Sequence, residues 1–443
     1  MNKPCTLKSY KSKSLKGIIS APSDKSISHR ALILASICIG NSKIFGLLES
    51  EDILNTLNSI KKLGIRIIKR KNFYEVFGNG GVFSDPSEKL DFGNSGTGIR
   101  LMMGLLSTRN VNATLVGDSS LSARPMLRVI DPLKEMNAII QHNNGCLPVK
   151  INSNNFFSIP IKHKLLIGSA QVKSAILLAG TFVQGSTEII EEIPSRDHTE
   201  RLLSFLGANI IIKKKLGKNN IKLISPTTLA SKDFYIPGDF SSAAFLIVAA
   251  LLIEDSRITI KNVGLNFFRI GLLDALKKMN GKIFIKNKRY VNMELVGDIE
   301  VCHSELNGIK LEKCFSTRLI DEYPILFVAA SFAKGTSKFF GLEELKFKES
   351  NRIETMEIAL KEAGVIIKSK NDWVQITGKK NQIGGNFVIT KKDHRIAMSM
   401  LVFGMVSEKP VSIDDFDTIK TSFPNFKDIF AEVGAKIEFF QEW

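Results

Sequence analysis

The sequence predicts an α/β protein assembled from six copies of one unit, each with an amphipathic helix, an apolar helix and strands between them. Two series of segments carry that prediction. In the first, an amphipathic helix stops at Gly or Asn and runs into an apolar, strand-like stretch. The copies read KKLGIRI from Lys61, KEMNAII from Lys134, SFLGANI from Ser204, KKMNGKI from Lys277, KEAGVII from Lys361 and AEVGAKI from Ala431. Gly or Asn just past a helix is the residue expected where the backbone turns left-handed to stop it. The second series consists of helices that are small and apolar almost all round. They start near Ser26, Gly96, Ala170, Phe240, Asp321 and His394, about 70 to 80 residues apart. A helix apolar on every side is buried on every side, so these helices are expected inside, with sheets and amphipathic helices outside.

Three units per domain is the natural division of 443 residues. The break at Pro237-Gly238 places the first domain at 19–239, with 1–18 plus 240–443 forming the second. The net charge of +17 admits three partner classes: nucleic acid, a membrane surface or small anions. The Lys residues are scattered, with short knots such as Lys213-Lys214-Lys215 but no basic arm, and Phe lies inside apolar runs instead of alternating with Arg. Neither nucleic acid nor a membrane is therefore expected as a partner. Apolar runs such as 245–253 are too short to span a bilayer. Residues 1–16 lack the apolar stretch of a signal peptide. Cys5, Cys38, Cys146, Cys302 and Cys314 are far apart and form no CxxC pair, which argues against a disulfide framework or zinc site and for a reducing cytoplasm.

Chemistry collects where the apolar helices begin. Their openings carry Lys25, Ser26 and Arg30; Asn94, Ser95, Gly96, Thr97 and Arg100; Ser169, Gln171 and Lys173; Asp321 and Glu322; and Asp393, His394 and Arg395. Helix N-termini present free N–H groups and the positive end of the dipole, which suit anions. Ser26 and Arg30 share one helix face, and the dipole disfavours the Lys25 cation unless an anion binds there. The GNSGTG run lets backbone approach a ligand closely, although many such turns bind nothing and no GK[ST] follows to make a P-loop. Arg124 suits a bidentate contact to phosphate or carboxylate. Lys348, Glu349 and Arg352 fit either a site or a surface ion-pair cluster. Asp321 and Glu349 are the acid–base candidates; helix capping is the plain alternative for Asp321.

The motifs SDKSISHRALILA, GNSGTGIRLMMGLL, GDSSLSARPMLRV, GSAQVKSAILLAG, SRDHTERLL, PGDFSSAAF, DEYP, GLEELKFKESNRI, DHRIAMS and TSFPNF resemble those of the 5-enolpyruvylshikimate-3-phosphate synthase family, in the family's order over residues 21–435. The spelling is closest to the bacterial class II subgroup. The resemblance implies a two-domain inside-out α/β barrel with three βαβαββ-type units per domain, and a shikimate-pathway enzyme. Phosphoenolpyruvate would pass its enolpyruvyl group to the 5-hydroxyl of shikimate 3-phosphate, releasing phosphate through a tetrahedral intermediate, with no metal or organic cofactor, in a cytoplasmic monomer. It implies shikimate 3-phosphate contacts from Lys25, Ser26, Arg30, Ser169, Ala170, Gln171, Arg196, Asp321 and Lys348. Phosphoenolpyruvate contacts would come from Lys25, Gly96, Arg124, Gln171, Arg352 and Arg395. Asp321 would take the hydroxyl proton, and Glu349, with Lys25, would protonate the methylene carbon.

Departures from class I are Glu344 in place of Asn and Thr421 in place of Lys, with Lys420 only a neighbour; Leu127 stands where Gly is common. Some class II members carry Ala where Gly96 lies, and the added methyl excludes glyphosate, so Gly96 implies sensitivity. UDP-N-acetylglucosamine enolpyruvyl transferase shares the fold, but it uses a loop Cys where GDSSLSARP has Ser.

Overall fold

The structure is a computed structural model that describes residues 6–153 and 157–440, so Cys5 and the outermost residues of the expected second domain lie outside them. All six amphipathic helices are present: Glu51–Lys62, Leu127–Glu135, His198–Phe205, Gly271–Lys278, Arg352–Glu362 and Phe426–Glu432. Each is stopped by the expected Gly or Asn, at Gly64, Asn137, Gly207, Asn280, Gly364 and Gly434, all with φ between 65° and 99°.

Six four-stranded sheets follow one plan. One edge strand of each runs parallel to its neighbour; in five a hairpin completes the sheet, and in the sixth Thr6–Tyr10 and Lys436–Phe440, far apart in the chain, take its place. In four units the edge strand, the apolar helix and the parallel neighbour are consecutive in the chain, as in Leu90–Asp91, Gly96–Leu106 and Ala113–Val116. The other two units exchange edge strands: Lys16–Ser20 pairs with Arg257–Gly264, and Phe234–Tyr235 pairs with Ile39–Phe45. The chain divides into two compact units, one holding Ser23–Ile236 with Tyr290–Glu294, the other holding Met1–Pro22, Pro237–Arg289 and Leu295–Trp443. In the latter, the strand Thr6–Tyr10 lies between Val411–Ile413 and Lys436–Phe440. Each unit has its own hydrophobic core.

The apolar helices are Lys25–Ile37, Gly96–Leu106, Ala170–Gly180, Phe240–Leu252, Tyr323–Ser331 and His394–Gly404, and they fill those cores. Their small residues are there for close approach: a Cβ added at Gly104 would overlap the Ala175 backbone of the neighbouring helix. Five of the six are capped at their first turn by a side chain, from Asp24, Ser95, Ser169, Asp239 and Asp393. The sixth begins at Tyr323 with Pro324 in its first turn and Glu322 at the cap position. Asp321 therefore stands in the turn ahead of the helix, and capping does not account for it. No helix of the described residues is long and apolar enough to cross a membrane.

Candidate active site

In the unit built around Ser23–Ile236, the first apolar helix opens with Asp24 accepting the Ile27 N–H at 2.8 Å. Lys25 Nζ pairs with Asp52 Oδ2 at 3.0 Å, a partner that no sequence pattern signals. Arg30 Nη1 donates to the Ser26 carbonyl at 2.9 Å, so the two share a face as the spacing predicts. Arg30 is only 4% exposed; its Nε donates to Thr199 Oγ1 at 2.7 Å and its Nη2 to Ser174 Oγ at 2.8 Å. All three of these partners are neutral oxygens, and burial pulls the guanidinium down to about 10, with Glu200 and Asp24 pulling it back up. A buried cation whose hydrogen bonds all go to neutral groups is suited to an anion.

Gly96 begins the second apolar helix. A Cβ there would lie 3.2 Å from both Arg100 Nη1 and Arg124 Nη1. Arg124 donates to Asn94 and to Ser120 Oγ at 3.3 Å, and Arg100 donates to Gln171 Oε1 at 2.7 Å. Gln171 in turn donates to Thr97 Oγ1 at 3.0 Å. Gly96, Arg124 and Gln171 thus form one cluster, and Arg100, which the sequence marks only as part of a helix opening, stands at its centre. Ser169 caps the third helix through Val172 N at 3.4 Å, and Ala170 is that helix's half-buried first residue. Arg196 is half-buried in the turn before His198–Phe205.

The other unit gathers the remaining candidates. Asp321 Oδ1 lies 3.2 Å from Lys348 Nζ and 3.5 Å from Arg352 Nη1, and Arg395 Nη1 donates to the Asp321 carbonyl at 2.8 Å. Arg352 also pairs with Glu349 and, through Nε at 2.8 Å and Nη2 at 3.3 Å, with fully buried Asp393. At 1% exposure Arg352 rules out a solvated surface cluster. Burial alone would lower its pKa; Asp393, Glu349 and Asp321 outweigh that and push it up. The opening of Phe240–Leu252, where the sequence shows no ligand, joins in through buried groups. Ser241 donates to Glu322, which faces Arg395 Nη1 at 3.5 Å, while Arg269 bridges Asp239 and Ser241. At the class I Lys position, Thr421 Oγ1 donates to the Thr418 carbonyl at 2.8 Å, and neighbouring Lys420 pairs with Asp417.

His29 supports the Gly96 opening from below. It is fully buried, with Nδ1 2.9 Å from Thr56 Oγ1 and Nε2 3.3 Å from Ser95 Oγ, the capping hydroxyl. Burial, with Lys25 and Arg30 adding to it, holds its pKa well below 6.5. The unfolded chain takes up this proton below pH 6.5 and the folded chain does not, so this contribution to stability is present above pH 6.5 and is lost as pH falls below it. The expected loss is about 1.4 kcal/mol for each pH unit below that value. Unfolding midpoints at pH 7 and 5.5 check it: His29→Gln removes this part of the acid slope, and an unchanged slope contradicts it.

Residues 9–430 match the profile of the family described as EPSP synthase (3-phosphoshikimate 1-carboxyvinyltransferase). The chain belongs to the EPSP synthase family. It is 45% identical over 442 residues to the 3-phosphoshikimate 1-carboxyvinyltransferase of Bartonella tribocorum, covering 99% of this chain and all of that one. It is similar to the solved EPSP synthase of Acinetobacter baumannii, with a TM-score of 0.87, 36% identity and coverage of 99% of this chain and 100% of that one. The enolpyruvyl transferase NikO of Streptomyces tendae shares the fold alone, with a TM-score of 0.76 and 14% identity, each chain covered in full. Membership in the EPSP synthase family establishes the two-domain inside-out α/β architecture, and the six sheets and buried helices are its expression here.

Proposed function

We propose that this protein is a 3-phosphoshikimate 1-carboxyvinyltransferase, moving the enolpyruvyl group of phosphoenolpyruvate to the 5-hydroxyl of shikimate 3-phosphate with release of phosphate. The observation that carries this reading is the family match over residues 9–430. The clustering of cations at helix mouths supports it, because both substrates bear phosphate and carboxylate.

Shikimate 3-phosphate is assigned to Lys25, Ser26, Arg30, Ser169, Ala170, Gln171, Arg196, Asp321 and Lys348, and phosphoenolpyruvate to Lys25, Gly96, Arg124, Gln171, Arg352 and Arg395. Asp321, oriented by Lys348 and Arg352, accepts the proton of the attacking 5-hydroxyl. Glu349, held by Arg352, delivers a proton to the methylene carbon with help from Lys25. Collapse of the tetrahedral intermediate then breaks the C–O bond to phosphate while a methyl proton returns to Glu349, restoring the C=CH2 bond of the enolpyruvyl group. Much of the acceleration comes from holding both anions in line away from water. The reaction calls on no metal or organic cofactor, and the enzyme acts as a cytoplasmic monomer; Cys38, Cys146, Cys302 and Cys314 are all free thiols.

Phosphate release with phosphoenolpyruvate and shikimate 3-phosphate tests the reading, with UDP-N-acetylglucosamine as the competing acceptor. Release with the first pair only is expected; no release with that pair overturns it. Glyphosate inhibition is the second expectation. At phosphoenolpyruvate near its KM, millimolar glyphosate lowers the rate, and Gly96→Ala weakens that inhibition because its Cβ would sit 3.2 Å from two guanidinium nitrogens. A wild-type rate unmoved by millimolar glyphosate removes this expectation.

A further inference from the structure

Lys173 is the only charged residue of the helix Ala170–Gly180, at its fourth position, and it is completely buried. Its ammonium group has three protein partners within hydrogen-bond distance: Glu200 Oε1 at 2.7 Å, Glu191 Oε1 at 3.0 Å and the Ser195 carbonyl at 3.2 Å. Glu191 is also fully buried and Glu200 is 1% exposed. Glu191 accepts further from the Ser195 N–H at 3.2 Å, the Ser195 hydroxyl at 2.5 Å and Asn219 Nδ2 at 3.1 Å. Burial by itself would lower the Lys173 pKa, but Glu200 and Glu191 outweigh it and raise it, so the lysine stays charged.

Stability does not explain such a cluster. Desolvating three charges offsets much of their attraction, so apolar side chains in place of all three would serve the fold about as well. What the cluster does is geometric. Three of its hydrogen bonds end on Ser195, the residue before Arg196, and they fix that backbone from both sides. Glu200 and Thr199 sit together on the first turn of His198–Phe205, and Thr199 accepts from Arg30 Nε while sharing a 2.6 Å hydrogen bond with Ser174. One buried cluster thus anchors the turn bearing Arg196 and the helix start that orients Arg30. Arg196 is close enough to disfavour the charge on Arg30, an arrangement that a dianionic phosphate relieves.

We propose that Lys173 is a positioning residue that, through Glu191, Glu200 and Ser195, holds Arg196 in place for the phosphate of shikimate 3-phosphate. This rests on the function proposed above. It makes Lys173 part of substrate recognition although the substrate never touches it.

The test is the affinity for shikimate 3-phosphate, measured by calorimetry on the full chain, for wild type, Lys173→Met, Arg196→Ala and the double variant. Lys173→Met is expected to weaken binding by about tenfold with the KM for phosphoenolpyruvate little changed, and to lower the unfolding midpoint as well, because it leaves Glu191 and Glu200 buried without their cation. In the Arg196→Ala background the same substitution is expected to cost distinctly less than in wild type, the remainder running through Arg30. Ser195→Ala, which removes only one hydroxyl, serves if Lys173→Met does not fold, with a loss of about threefold expected. Wild-type affinity in the variant, an equal loss in both backgrounds, or an equal rise in both substrates' KM values overturns the proposal. Wild type that binds no shikimate 3-phosphate instead overturns the function on which the proposal stands.

Discussion

Asp321→Asn is expected to lower kcat by about 10²–10⁴, the usual worth of a positioned general base. The substitution keeps the shape of the side chain and one carbonyl-type acceptor, and loses the capacity to take a proton. Asp321 is 14% exposed, with Lys348 Nζ at 3.2 Å and Arg352 Nη1 at 3.5 Å on one oxygen and Arg395 Nη2 at 3.9 Å from the other. Those cations fix the carboxylate in one orientation, and geometry is the first requirement of a base. The affinity for shikimate 3-phosphate should fall far less than kcat, since Asn still accepts a hydrogen bond. Single-turnover rates and equilibrium binding separate the two. A variant that keeps kcat within about fivefold of wild type returns Asp321 to a purely structural role.

How much of this is legible in the sequence depends on whether the controlling interaction is local. Gly64, Asn137 and Gly364 marked helix ends because the left-handed turn is a property of that one residue. The apolar helices were visible because burial on every side leaves no polar face to hide them. The openings were marked by residues out of place on such helices, among them Arg30, Gly96 and Asp321. Partners could not be read this way. Asp52 is 27 residues from Lys25, Asp393 is 41 from Arg352, and Thr199 is 169 from Arg30. Only tertiary folding brings them together. Lys173 shows the same limit: its position at a helix opening suggested a ligand, whereas complete burial between two glutamates makes it a support.

Asp393→Ala is expected to destabilise its unit by about 3–5 kcal/mol, the cost of stripping one partner from a buried ion pair. Asp393 is wholly buried and its two oxygens take Arg352 Nε, Arg352 Nη2, the Ser350 hydroxyl at 3.1 Å and the Arg395 N–H at 3.0 Å. Its loss removes a helix cap, worth about 1 kcal/mol, and leaves a 1% exposed guanidinium with fewer counter-charges. Denaturant unfolding followed by a probe in the C-terminal half reads the loss; a cost below about 1 kcal/mol contradicts it. The double variant Asp393→Ala with Arg352→Met decides what the pair is for. Removing both charges should recover much of the lost stability, because a buried pair is roughly balanced by apolar side chains of similar size. It should recover none of the affinity for phosphoenolpyruvate, since Arg352 is one of its assigned contacts. Stability restored without binding would mean that Asp393 is retained to keep a cation buried and aimed, not to hold the fold together. A double variant no more stable than Asp393→Ala alone would mean the reverse.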